Sequence, residues 1–392
     1  MRTHEPSTEA RLALSTGEVF RGVGFGAAPA RAATWAGEVV FNTAMSGYQE
    51  SLTDPSYAGQ ILVQTAPMIG NTGVNGLDTE SGLIRVTALV VHEHVDRHSS
   101  YRATRSLDAA LREAGVAGIS GIDTRALTRI LRSGGVTAGV VASDPSIVDA
   151  ELFAMAHASP TMQGRDLVST LAFDEPGPCA GAGAWSWIEP ETRPRVPVGL
   201  IDCGCKDNIV RSLLDAGADP VRIGHTTPAS RIRAMLLDGT IRGLMISNGP
   251  GDPAALGPLV ATLRELIEDR TLEHAAIYGI CLGHQVLALA LGASTRKLAF
   301  GHRGINHPVL DVERGRVLIT SQNHGFVVER DRLAEASVVV THDHLNDGTV
   351  AGIRHKDRPI RSVQFHPESS PGPHDAAAFF KEFVRACVDP LG

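Results

Sequence analysis

The segment Gly279-Ile280-Cys281-Leu282-Gly283-His284-Gln285 carries the residues with the clearest chemical meaning. A cysteine flanked as G-x-C-x-G falls between a strand-like run at 275–280 and an apolar helical stretch at 286–291. A turn of this kind presents its nucleophile on a tight, strained bend, so small residues are needed where backbone segments pass closely. It also places the sulfur at the head of the next helix, where unsatisfied N–H groups and the helix dipole attract an anion. A lone cysteine is more often a small buried hydrophobe. The two glycines and the strand-then-helix setting favour a nucleophile.

A thiol nucleophile needs a base. Ser362-Val363-Gln364-Phe365-His366-Pro367-Glu368 offers His366 just after a strand-like run, with Glu368 two residues on to orient the imidazole. Among 16 histidines a His-x-Glu pair arises easily by chance. It gains meaning only beside the cysteine turn.

The elements that would hold these groups form a regular pattern. Apolar runs at 198–202, 243–247 and 275–280 read as buried strands, and helical spacing follows each, at 207–216, 259–267 and 286–291. Such alternation implies a mostly parallel sheet covered on both faces, with ligands at the carboxyl ends of its strands. The first half reads as a separate mixed α/β domain. Strands are expected at 38–42, 60–64 and 88–91, and helices at 107–114 and 124–131, the latter capped by Asp123. Between the halves, 174–197 is dense in Pro, Gly and Ala without a sustained period, so it reads as a linker with a boundary near residue 190.

Composition bounds the function classes. A chain of 392 residues with 43% hydrophobic and 20% charged residues can build two cores. A formal charge of −7 with no basic run argues against nucleic acid. The five cysteines are odd in number and scattered, which fits a reducing compartment and a cytoplasmic protein. No apolar stretch approaches the roughly 20 residues of a membrane span, and the N-terminal residues lack a secretory pattern. His92, His94 and His98 lack a completing ligand and read as a solvated loop, and no metal site is expected. Cys203 and Cys205 read as packing residues, and His342 and His344 as a surface turn.

The GICLGHQ segment with its downstream QFHPE resembles the class I, triad-type glutamine amidotransferases over 196–387. That resemblance implies Cys281 as nucleophile, His366 as acid and base, and Glu368 as orienter. It implies an oxyanion-hole N–H near Gly249, in the loop Ser247-Asn248-Gly249-Pro250-Gly251-Asp252-Pro253, with a second from Leu282. Glutamine contacts are implied at Gly249, Gly251, Leu282, Gln285, Asn323, Gly325 and Phe326. The first half narrows the family. Its run from Gly37 to Ile61, the segment Gly121-Ile122-Asp123-Thr124-Arg125 and the later Ser369-Ser370-Pro371-Gly372-Pro373-His374-Asp375 closely resemble carbamoyl-phosphate synthase small subunits. Other amidotransferases lack this first domain, so an anthranilate or guanylate synthesis partner is the weaker alternative.

Within that resemblance, Ser56 is implied as a glutamine contact, 1–190 as the domain associating with the large subunit, and 191–392 as the amidotransferase domain. The implied activity is hydrolysis of L-glutamine through a Cys281 thioester, with ammonia passed to the large subunit of a heterodimer. That partner would make carbamoyl phosphate from bicarbonate and ATP for arginine and pyrimidine biosynthesis. No G-x-x-x-x-G-K-[ST] loop occurs here, so nucleotide binding, with ATP and Mg²⁺, is expected on the large subunit and no cofactor on this chain.

Overall fold

The computed structural model describes residues 8–30, 32–171, 177–179, 195–335 and 337–389. Within it the chain forms two compact units, one of 1–162 with 299–303 and one of 163–298 with 304–392. Most of the expected linker, including the boundary near 190, lies outside the described residues.

The first unit is built on a closed barrel of seven strands, in the order Glu9–Leu14, Val19–Gly26, Ala117–Ser120, Ala88–Val90, Gln60–Gln64, Thr34–Asn42 and Thr137–Ala142. Four neighbouring strands, from Ala117–Ser120 to Thr34–Asn42, run parallel, and the remainder close antiparallel. Alternating side chains separate into two cores, as strand geometry requires. Val39, Ile61, Val63, Val90 and Ile119 enter one, while Val40, Leu62 and Leu89 enter the other with Tyr48, Leu52, Leu107 and Leu111. The three expected strands and two helices are present, the helices as Leu107–Glu113 and Thr124–Gly134.

Asp123 caps the second helix as expected, its Oδ1 accepting from the Ala126 N–H at 2.8 Å. Thr124, Leu127 and Leu131 form the buried stripe of that helix. The expected solvated loop at His92–His98 is corrected in part. His94 lies on the short Glu93–His94 strand and stacks on Phe25 with centroids 4.0 Å apart.

The second unit carries a ten-stranded sheet. Its parallel centre runs Ala218–Gly224, Val196–Asp202, Gly243–Ile246, Ala276–Ile280, Ile360–Val363. Antiparallel strands continue outward through Val350–His355, Val338–His344 and Thr295–Asp311. Leu200, Met245, Tyr278 and Ile280 face a core closed by helices Asp207–Asp215 and Ala378–Val388. Ile201, Leu244, Ile246 and Ile277 face the opposite core, under helices Ala229–Leu237, Gly257–Glu268 and Leu282–Ala290. Both faces are therefore covered, which is why these strands read as unbroken apolar runs. His342 and His344 depart from their surface reading: both are buried on the Val338–His344 strand, and His344 Nε2 meets His307 Nδ1 at 2.9 Å. Cys203 and Cys205 are buried free thiols within the packing.

No helix among the described residues is long and apolar enough to cross a membrane.

Asp123→Ala is expected to lower stability by about 1 kcal/mol through loss of the cap, read from urea unfolding of the full chain.

Candidate active site

The parallel strands end in register, Ile201 beside Ile246, Ile246 beside Gly279, and Ile280 beside Val363. The segments that leave those ends are Cys203–Lys206, Ser247–Gly251, Cys281 and Gln364–Glu368. Sheet topology therefore gathers at one edge residues that are far apart in sequence.

Cys281 occupies the bend between strand Ala276–Ile280 and helix Leu282–Ala290 with φ 54° and ψ −102°, a region that L side chains rarely adopt. Backbone bonds hold it there: its N–H donates to Val363 O at 2.9 Å, and its carbonyl accepts from Gln285 N at 3.2 Å. The flanking glycines have steric causes. A Cβ on Gly279 would lie 2.6 Å from Gly283 O, and one on Gly283 only 2.3 Å from Ile246 O. The thiol is 2% exposed and donates to Asn323 O at 3.6 Å.

The first turn of the Leu282–Ala290 helix leaves N–H groups without helical partners. Among the described residues neither Leu282 N–H nor Gly249 N–H donates within the chain. Gly249 is pressed against this bend, since a Cβ there would lie 2.0 Å from Cys203 O and 2.8 Å from Leu282 Cδ2. Gly251 (φ 92°) instead adjoins the Arg165–Leu167 backbone. Its neighbour Asp252 donates its N–H to Arg165 O at 3.0 Å.

His366 and Glu368 are joined by a 2.6 Å hydrogen bond from Nδ1 to Oε1. Both are buried, and the His366 N–H donates to Ser321 O at 2.9 Å. A third charge completes the set. Lys206, 2% exposed, reaches Glu368 Oε1 at 3.1 Å and donates to Ser369 O at 2.5 Å. Asn208 also donates to the Glu368 carbonyl. The turn beyond is strained, with Ser369 and Ser370 both at positive φ (60° and 53°). Ser369 N–H donates to His366 O at 3.1 Å, which folds the turn back on the histidine.

Electrostatics separate the neighbouring histidines by role. Burial pushes His284 down to about 3 and His342 down to about 4, so both are neutral at ordinary pH. Burial opposes charge on His366 too, but the Glu368 carboxylate, followed by the Cys281 sulfur through charge and hydrogen bonding, holds its pKa well above the ordinary imidazole value. Glu368 is likewise resisted by burial, yet the Lys206 ammonium and then His366 hold its carboxyl below the usual range. Of these three histidines, His366 is the one that keeps a proton near neutrality.

Gln285 and Phe326 are linked, with Gln285 Nε2 donating to Phe326 O at 2.8 Å. Asn323, Gly325 and Phe326 lie on the long strand Arg316–Val328. The structure thus brings Cys281, Leu282, Gly249, Gln285, Asn323, Phe326, His366 and Glu368 into one linked set. Ser56 belongs to the first unit, buried in the Pro55–Tyr57 turn, where its N–H donates to Asp54 Oδ1 at 2.9 Å.

Lys206 was absent from the sequence-derived set. A lysine just beyond the carboxyl end of an apolar strand, in Cys203-Gly204-Cys205-Lys206, is the signal that points to it, because that is where sites of parallel sheets lie.

Glu368→Gln is expected to drop the His366 pKa, since the charge opposing its desolvation is lost; a histidine NMR titration reads this directly. The pH dependence of stability follows the same groups. Glu368 is held below 4.5, so its contribution is present above that value and lost as pH falls through the lowered one. His366 is raised above 6.5, so its contribution is present below that value and lost as pH rises through the raised one. Below pH 4.5, where the parent carboxylate begins to lose its contribution, the variant should show the shallower further fall in stability in urea unfolding at several pH values.

Residues 12–141 match the family description "Carbamoyl-phosphate synthase small chain, CPSase domain", and residues 199–386 match "Glutamine amidotransferase class-I". The chain is 46% identical to a carbamoyl phosphate synthase small chain of Synechococcus sp. over 383 residues, covering 97% of this chain and 94% of that one. It is 46% identical to that of Chlorobaculum tepidum, with 95% and 96% covered, and 44% identical to that of Acinetobacter baylyi, with 97% and 98% covered. Among solved structures, the glutaminase domain of Trypanosoma brucei CTPS with bound acivicin covers 50% of this chain and 94% of its own. At 16% identity and a TM-score of 0.40, that overlap is too loose to add to the assignment. Identity sustained across both halves is what decides the matter: the chain belongs to the carbamoyl-phosphate synthase small chain family.

Proposed function

We propose that this chain hydrolyses the side-chain amide of L-glutamine with Cys281 as nucleophile and supplies the ammonia to a carbamoyl-phosphate synthase large subunit. The observation that carries the catalytic part is the buried series Lys206–Glu368–His366 beside the strained cysteine bend.

In the reaction, the Cys281 thiolate attacks the δ-carbonyl carbon. The N–H groups of Gly249 and Leu282 stabilise the negative oxygen of the tetrahedral intermediate. His366 gives its proton to the departing nitrogen, ammonia leaves, and a γ-glutamyl thioester remains on the sulfur. His366 then accepts a proton from water as it attacks the thioester, and glutamate is released with the thiolate regenerated. Glu368 holds the imidazole by Nδ1, leaving Nε2 for the transfer, and Lys206 keeps Glu368 ionised without solvent. Gly251, Gln285, Asn323, Gly325, Phe326 and Ser56 would hold the rest of the glutamine.

The ammonia is used elsewhere. In this reading the chain forms a heterodimer with the large subunit in the cytoplasm, where ATP and Mg²⁺ act on the partner and this chain contributes no cofactor. Carbamoyl phosphate made there serves arginine and pyrimidine biosynthesis. The match of residues 12–141 to the small-chain domain supports that partner.

Cys281→Ser and His366→Asn are each expected to cut glutamate release by about 10³-fold or more, as removal of a nucleophile or its base does. Reconstituted with the large subunit, Cys281→Ser should lose glutamine-dependent carbamoyl phosphate while retaining synthesis from added ammonia. Undiminished glutamate release from Cys281→Ser would remove the sulfur from the mechanism. Failure of the parent complex to make carbamoyl phosphate from glutamine would remove the partner.

A further inference from the structure

Gln285 Nε2 uses both of its N–H groups, one on Phe326 O at 2.8 Å and one on Gln364 Oε1 at 3.1 Å. Gln285 and Gln364 are 3% and 1% exposed, so these bonds form where water cannot replace them. Phe326 O alone would leave the second N–H of the amide without a partner. Gln364 supplies the missing acceptor, and its own position is fixed because its N–H donates to Ala351 O at 2.9 Å.

The arrangement has a cost. Gln364 Nε2 is left buried with no hydrogen-bond partner among the described residues. Turning the Gln364 amide around would only set one NH₂ group against another. An orphan buried donor is costly and calls for a reason. That reason lies at the other end of Gln285. With its nitrogen doubly engaged, its Oε1 is the amide atom left for a ligand, and it makes no hydrogen bond among the described residues.

We propose that Gln364 is a positioning residue that locks the Gln285 amide with its oxygen toward the substrate, so that the site selects the α-ammonium group of glutamine. The inference rests on the reading of Gln285 as a substrate contact. A locked amide oxygen can only accept, and the substrate's cationic group is the complementary donor. Loosening the lock lets the amide turn and present its nitrogen, which repels an ammonium group.

The test compares kcat/KM for glutamine with that for glutaramate, its deamino analogue, in the full-length chain reconstituted with the large subunit. Glutamate or glutarate release is the readout, and a ratio of two substrates is independent of the fraction of enzyme that is folded. Gln364→Met is expected to raise the glutamine KM with little change in kcat and to lower the preference for glutamine about tenfold, the worth of a hydrogen bond to a charged group. Gln285→Met should lower it at least as far, and the double variant should match Gln285→Met rather than add to it. Wild-type preference in Gln364→Met with lost preference in Gln285→Met overturns the lock alone. Wild-type preference in both variants overturns the substrate contact as well, and additive effects show that Gln364 does not act through Gln285.

Discussion

A carboxylate sealed from water has to be neutralised by something, and the way this chain does so organises its candidate site. Glu368 faces a protonated imidazole on one side and a buried ammonium on the other. Removing one partner from such a set leaves an uncompensated charge in the interior, at a cost of about 3–5 kcal/mol. The three groups therefore stand or fall together. The elements that carry them are tied by the same constraint: the end of the Val196–Asp202 strand through Lys206, and the segment after Ile360–Val363 through His366 and Glu368. The cysteine bend joins them through backbone, because Cys281 N–H donates to Val363 O. Positions of His366, Glu368 and Cys281 are thus set by one strand edge.

Strain is distributed around the same edge. Cys281, Ser369 and Ser370 all adopt positive φ without being glycine. Each costs of order 1–3 kcal/mol and persists only where neighbours over-determine the conformation. At Cys281 the neighbours are backbone groups packed so closely that Gly279 and Gly283 cannot carry a side chain. At Ser369 the neighbour is Lys206, which takes its carbonyl as a hydrogen-bond acceptor. The ammonium that neutralises Glu368 also anchors the turn that follows it.

What was legible in the sequence was local in origin. The cysteine bend could be read because steric crowding writes glycine on both sides of it, and the His-x-Glu pair because its members are two residues apart. Parallel strands could be read because burial on both faces makes them apolar throughout. Lys206 escaped because its partner is distant in sequence and a lysine carries no mark of being buried. Closure of the first unit into a barrel depends on pairing Glu9–Leu14 with Thr137–Ala142, a contact no local pattern announces. His342 and His344 were misread as surface residues since polarity alone suggests exposure; each has a partner in the interior, Thr341 Oγ1 on the same strand and His307 on the strand Thr295–Asp311.

The Lys206 contacts also bear on when the site comes into being. Lys206 and Ser369 are 163 residues apart in sequence. Contacts of such separation form late, because the loop they close must first be brought together. All seven barrel strands lie within residues 9–142 and the cysteine bend is at 281, so both precede the imidazole and carboxylate in the order of synthesis. A polypeptide that stops before residue 366 holds the Cys281 bend with neither the imidazole nor the carboxylate beside it.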